Sequence, residues 1–140
     1  ETYFAQYPGV KAYMDRAIAD AREKGYAETL LGRRRFLRDI DSRNNTSRQA
    51  AERNAINTPV QGSAADLIKL AMVRVHKELK AGRFKTRMVL QIHDELLFDV
   101  PKDEVGAVRD LVKHAMTSVL DIGVPLEVSI GVGDTWLEAH

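Results

Sequence analysis

The chain has 140 residues, 44% hydrophobic and 29% charged, with a net charge of +1 and no cysteine; this is enough for one domain with a real core and excludes a disordered, low-hydrophobicity tail. Without cysteine there are no disulfides, thiolate zinc sites or thiol nucleophiles, so any metal must be held by carboxylates or histidines and is expected to be hard. No run of about 18 apolar residues offers a membrane span, and Glu1-Thr2-Tyr3-Phe4 lacks the basic-then-apolar order of a secretory signal, which makes a cytoplasmic location the expectation.

In chain order, Tyr3, Tyr7, Val10, Met14, Ala17, Ile18 and Ala21 recur at spacings of three and four and predict a helix over residues 1–24. Pro8-Gly9 should bend or restart it, and Gly25 is its natural C-cap. Ala27 to Leu31 and Phe36 to Ile40 read as a short hairpin whose tip, Gly32-Arg33-Arg34, is basic. Thr46 with Gln49 has the form of a capping box opening a second helix. That helix has little to bury beyond Ala50, Ala51 and Ala55, yet carries Arg48, Glu52, Arg53, Asn57 and Gln61, so something polar is expected to lie against it. Pro59 should interrupt it, with Ser63 and Asp66 capping a restart. Ala64, Leu67, Ile68, Ala71, Met72, Val75 and Leu79 then form the cleanest apolar stripe in the chain, which Gly82 ends.

Residues 87–93 alternate, Met88, Leu90 and Ile92 against Arg87, Val89, Gln91 and His93, and Leu96 to Val100 alternate again before Pro101. The two runs predict an antiparallel hairpin with Asp94-Glu95 at or beside its turn. A helix over 103–120 and a last strand, Leu126 to Val132, complete the pattern. The fold class is α+β: an antiparallel sheet with a central hairpin and helices packed on it.

Charge is uneven along this order. Seven arginines stand between Arg33 and Arg53 against three acids, whereas from Lys102 to His140 three bases face seven acids. Arginines here are either a solvated loop or phosphate contacts, and charge alone leaves both open. An Asp-Glu pair at a hairpin tip is commonly only a solvated turn. Apolar strands on both sides give this pair the rigid support that a metal carboxylate needs, and Mg²⁺ characteristically takes one or two carboxylates together with substrate phosphates. Asp94 could be one such carboxylate, but it cannot form the site alone.

Gln91-Ile92-His93-Asp94-Glu95-Leu96 resembles the third conserved motif of the family A, or DNA polymerase I-like, DNA polymerases. The run from Ala51-Glu52-Arg53-Asn54-Ala55-Ile56-Asn57-Thr58-Pro59 through Val60-Gln61-Gly62-Ser63-Ala64-Ala65-Asp66 is similar to the helix that precedes it, and Thr29-Leu30-Leu31-Gly32-Arg33-Arg34-Arg35 also fits. The resemblance extends from Tyr7-Pro8-Gly9-Val10 to Gly133-Asp134-Thr135-Trp136, nearly the whole chain.

It implies template-directed DNA synthesis with primer-template DNA and dNTP as partners and two Mg²⁺ in the complete enzyme. Asp94 would be the catalytic metal ligand, Glu95 its acidic neighbour with a smaller or indirect role, and His93 a neighbour of the primer terminus. Arg53, Asn57 and Gln61, with Arg48 beside them, would be DNA-binding, partly through the minor groove. Acceptors there are nearly the same for every base pair, so such side chains check pairing geometry without reading sequence. The resemblance also implies a second aspartate and a nucleotide-binding fingers helix that do not occur here. The expectation is therefore a C-terminal fragment, 1–140, with late fingers and palm helices and the basic hairpin over about 1–80 and the palm hairpin, helix and last strand over 81–140, inactive without the remainder of the polymerase.

Plainer readings stand beside these. Asn57 and Gln61 would satisfy backbone groups freed at Pro59, Arg53 would pair with an acid, His76 and His114 would be surface residues, and Trp136 a core or end-sealing aromatic. On that view the chain is a non-catalytic nucleic-acid-binding α+β module with Asp94-Glu95 only a turn.

Overall fold

Pro8 divides the first predicted helix in two, because a proline has no N–H to donate and its ring crowds the preceding turn. The computed structural model describes residues 2–139; Glu1, where the predicted helix begins, and His140 lie outside the described residues. Helix α1 covers Thr2–Gln6, and α2 covers Pro8–Lys24 with the proline in its first turn, where the missing N–H has no partner to lose. Helix α2 ends as expected at Gly25, whose φ of 78° is open to glycine without steric cost and whose N–H reaches the Ala21 carbonyl at 2.9 Å.

The chain falls into two units, residues 1–66 and 67–140. In the first, β1 (Tyr26–Glu28) pairs antiparallel with β2 (Arg34–Phe36), Tyr26 opposite Phe36. This hairpin is shorter than the predicted one, and its second strand comes earlier, sharing only Phe36 with the predicted Phe36 to Ile40. Residues 29–33 close the turn through Thr29 N–H to the Arg33 carbonyl and Gly32 N–H to the Thr29 carbonyl, both 2.9 Å. Leu37 and Ile40 leave the ladder to join Ala21, Ala27, Ala51 and Ala55 in the core. Of the apolar face predicted for the first helix, Ala21 is buried, whereas Tyr3, Tyr7 and Val10 are exposed.

Helix α3 runs over Asn45–Asn57, and its cap is Asn44, not the predicted Thr46–Gln49 box. The Asn44 amide oxygen accepts from Thr46 N–H at 3.0 Å and Ser47 N–H at 3.3 Å, satisfying two orphan donors at once and leaving Thr46 inside the helix. Tyr13 holds the other end: its hydroxyl donates to the Ile56 carbonyl at 2.8 Å, and burial raises its pKa. At Pro59 the helix widens into a π-turn, Thr58–Gly62, and continues directly as α4, Ser63–Ala81. Ser63 has helical φ and ψ of −66° and −39°, so no capped restart occurs, contrary to the expectation for Ser63 and Asp66.

In the second unit the predicted stripe is buried at Ala71, Val75 and Leu79, and the last two pack with Val108, Val112 and Ala115 of α5 (Val105–Thr117). Phe84, Phe98, Val100, Leu111 and Met116 close around them, while Ala64 of the same stripe is exposed. The Arg74 guanidinium donates to both the carbonyl and the hydroxyl of Ser118 at 2.9 Å, tying α4 to the end of α5. Strands β3 (Arg87–Ile92) and β4 (Glu95–Asp99) form the predicted hairpin, with a register irregularity between Met88 and Leu90.

The antiparallel sheet of the α+β fold is thus two separate two-stranded hairpins. The predicted last strand, Leu126 to Val132, is not one: Leu126, Val128 and Ile130 are half-buried between exposed neighbours, yet the segment has no ladder partner among the described residues. Alternation reports the local chain path, but a strand also needs a neighbour. Helix α6, Trp136–Ala139, follows, and Trp136 is 50% exposed, not a core residue. His76 and His114 are exposed, as expected. Among the described residues no helix is long and apolar enough to cross a membrane.

One carboxylate fixes the approach to β3. Glu104 accepts from Lys85 N–H at 2.9 Å, Thr86 N–H at 3.0 Å and the Thr86 hydroxyl at 2.7 Å, and its pKa is lowered first by the Lys85 bond and then by the Thr86 hydroxyl. A folded pKa below the unfolded one stabilises the fold fully above the unfolded value, and the contribution is lost as pH falls through the folded value. Thermal melts should therefore find Glu104→Gln destabilised at neutral pH, with the gap from the parent closing on acidification through and below the carboxylate range. A gap unchanged down to strong acid would reject this account.

Candidate nucleic-acid interface and acidic turn

Two groups of predicted residues emerge, one in each unit. In the first, Arg53, Asn57 and Gln61 follow one another at intervals of four along α3 and the π-turn, and all three are exposed. Four residues of α-helix turn about 400°, so residues spaced by four drift by about 40° per step around the axis. A π-turn bonds i to i+5 and rotates less per residue, which offsets part of that drift between Asn57 and Gln61. The widened turn thereby keeps three long polar side chains closer to a single ridge.

Those side chains have no other occupation. Among the described residues Arg53, Asn57 and Gln61 make no side-chain hydrogen bond or ion pair, so they neither satisfy the backbone at Pro59 nor pair with an acid. The nearest acid in sequence, Glu52, is taken by Arg22, which reaches it at 2.5 Å and Asp41 at 3.5 Å. Arg48 differs: its guanidinium donates to the Ser42 carbonyl at 3.1 Å and to the Asn45 side-chain oxygen at 2.8 Å, pinning the loop before α3.

Behind the ridge lies a network that takes up Ser63 and Asp66, the two residues expected to cap a restarted helix. The Thr29 hydroxyl donates to Asp66 Oδ2 at 2.6 Å, and Arg33 Nε donates to Asp66 Oδ1 at 2.8 Å. Arg33 Nη2 donates to the Gly62 carbonyl at 3.1 Å. The Ser63 hydroxyl accepts from Leu30 N–H at 2.8 Å and donates to the Pro59 carbonyl. Positions 29 and 66 are far apart in the chain, and no short-range pattern links them. Of the other tip arginines, Arg34 bonds Glu28 at 2.8 Å and lies 4.6 Å over the Tyr26 ring; the Glu28 bond is the first cause of its raised pKa.

In the second unit the last pair of the β3–β4 ladder is Ile92 opposite Glu95, leaving His93 and Asp94 as a two-residue loop. Loops of this length match the twist of their strands when a positive φ is taken at the first position. His93 has φ of 53° although it is not glycine. Such a conformation costs on the order of 1–3 kcal/mol and persists only where its surroundings over-determine it. Here the supports are the ladder on both sides and the Gln91 side-chain amide, which donates to the His93 carbonyl at 3.1 Å. His93, Asp94 and Glu95 are exposed, while Leu96, Leu97 and Phe98 behind them are half-buried.

Among the described residues no group of three or more histidines and carboxylates is placed to hold a metal ion. The turn nevertheless suits a share in one: hard oxygen donors, exposed, on a short rigid loop, in the number that Mg²⁺ takes from protein when phosphates supply the rest.

Comparison with known proteins gives the family. The chain is 50% identical over 139 residues to DNA polymerase I of Streptococcus pneumoniae, 99% of this chain and 16% of that protein. It is 49% identical over 139 residues to DNA polymerase I of Geobacillus stearothermophilus, with the same shares. Among solved structures, the POL domain of Pol1 from M. smegmatis, in complex with DNA primer-template and dNTP, matches with a TM-score of 0.96 and 47% identity over 99% of this chain and 24% of that one. The family model for DNA polymerase family A matches residues 1–138. The chain belongs to DNA polymerase family A. It spans about 16% of the length of the curated relatives it matches, and family A polymerases are metal-dependent.

Proposed function

We propose that this chain is the part of a template-directed DNA polymerase that holds the primer-template duplex and one carboxylate of the catalytic site. The reaction is nucleotidyl transfer from a dNTP to a primer 3′-hydroxyl. The observation that carries the reading is the family match over residues 1–138, which includes both the exposed ridge and the acidic turn. A solved relative 47% identical and named as a complex with DNA primer-template and dNTP supports the same partners here.

Asp94, on a turn with no slack, offers its carboxylate at a fixed place, with Glu95 beside it in an indirect role and His93 near the primer terminus. Two Mg²⁺ bound there, when the rest of the polymerase supplies the other ligands, would activate the attacking hydroxyl and steady the leaving oxygen. Arg53, Asn57 and Gln61 donate to the O2 and N3 acceptors on the minor-groove edges of base pairs near the primer end. Every correctly shaped pair presents those acceptors in nearly the same place, so the ridge favours pairing geometry over sequence. Arg48 acts beside it, from the first turn of α3. The protein works with the remainder of its polymerase, in the cytosol or nucleoid.

Primer extension by the polymerase that contains this chain tests the reading, and failure to add a templated nucleotide would reject it. Asn57→Ala or Gln61→Ala should each weaken duplex engagement or mismatch discrimination by roughly two- to tenfold, the range of one net hydrogen bond. Unchanged DNA affinity together with unchanged fidelity would remove that residue from the interface.

A further inference from the structure

Asp66 is the only acid classed as buried among the described residues, at 7% exposed, beside Thr29 at 5% and Ser63 at 4%. A buried carboxylate is costly unless its oxygens are well paired, and an apolar replacement of similar shape is often as stable. Stability alone is therefore a weak reason for this arrangement. Its geometry suggests another one, because the same network reaches the backbone on both sides of Gln61. Arg33 holds the Gly62 carbonyl at 3.1 Å, and Ser63, itself bonded by Leu30 N–H, holds the Pro59 carbonyl. Pro59 and Gly62 both belong to the π-turn. Single π-turns are rare within α-helices, and this one has side-chain ties to a neighbouring element. The approach is close: a Cβ on Gly62 would stand 2.7 Å from Thr29 Cγ2.

We propose that Asp66 and Arg33, with Thr29 and Ser63, are positioning residues that latch the tip of the β1–β2 hairpin onto the π-turn and so fix where Asn57 and Gln61 meet the duplex. The latch rests on the reading of Asn57 and Gln61 as minor-groove contacts. It acts through them, and none of its own members need touch DNA. Losing it lets the π-turn relax toward the ordinary helical path, which swings Gln61 around the axis away from the ridge. The consequence is weaker preference for a correctly paired primer terminus, not simply a less stable protein.

The experiment uses the polymerase containing this chain and two primer-templates, one with a matched and one with a mismatched terminus. The ratio of their extension rates is measured for the parent, Gln61→Ala, Asp66→Asn and the double variant, with thermal melts alongside. Asp66→Asn should lower the ratio by no more than Gln61→Ala does, about two- to tenfold, and the double variant should fall little further than Gln61→Ala alone, since Asp66 acts through the same contact. If Asp66→Asn does not fold, Arg33→Lys takes its place: it keeps a charge opposite Asp66 but loses the fork that reaches Gly62. It should give a smaller loss that likewise vanishes in the Gln61→Ala background. Full additivity with Gln61→Ala, or a ratio unchanged from the parent, would overturn the latch alone. Gln61→Ala that leaves the ratio unchanged would overturn the minor-groove reading, and the latch with it.

Discussion

Asp94→Asn in the polymerase that contains this chain is expected to lower primer extension by on the order of a hundredfold or more, with primer-template affinity kept within about twofold. The asymmetry follows from what the side chain does. A carboxylate aimed at charge that develops in the transition state contributes little to holding the duplex, so its loss falls on the chemical step. The asparagine is nearly isosteric and leaves the His93 backbone and the Ile92–Glu95 pair in place. Single-turnover extension separates rate from binding, and the same protein on a fluorescent primer-template gives the affinity. Near-parental extension would remove Asp94 from the reaction, and a parallel collapse of affinity would recast it as a structural residue of the turn.

Gly62→Ala is expected to have the largest effect on stability. Its new methyl would stand 2.7 Å from Thr29 Cγ2 and 3.5 Å from Arg33 Nη2, and the nearer of these is a branched methyl on a buried residue, with little room to move. Overpacking of this kind costs about 1–3 kcal/mol. The control is Gly9→Ala in α2, where nothing lies within 4 Å of the added carbon. That change should be neutral or slightly stabilising, because alanine is the better helix former. Urea unfolding of both variants decides the matter, and a Gly62→Ala midpoint equal to that of Gly9→Ala would show that the hairpin tip gives way freely.

The helices were legible because their apolar spacing, their prolines and Gly25 act locally. Both hairpins were legible as well, the second more sharply because its alternation is longer and its turn shorter. What the sequence reading missed depends on partners distant in the chain. Ser63 and Asp66 have the composition of a cap, and only the folded hairpin tip, some thirty positions earlier, shows what they bond. Leu126 to Val132 has a strand's alternation without a strand's neighbour. Thr46 and Gln49 fit a capping box, but Asn44, two residues earlier, caps the helix instead and takes the Thr46 and Ser47 N–H donors. For the candidate site, the acidic turn and the polar ridge were both legible, the first from its rigid apolar supports and the second from having too little to bury. The widening at Pro59 was expected only as a break, since the sequence says that a proline disturbs a helix but not how the chain absorbs it.

The two-residue loop at His93 and Asp94 also sets how this protein can vary. Side chains alternate between the faces of a strand, so one residue inserted into or deleted from the loop must be absorbed either by a different turn or by slipping the whole hairpin. Slippage would carry Leu96, Leu97 and Phe98 to opposite faces and pull the core partners of α5 out of place. The length of the tip is therefore held as firmly as the carboxylate of Asp94 itself. Gaps between related sequences should accumulate elsewhere.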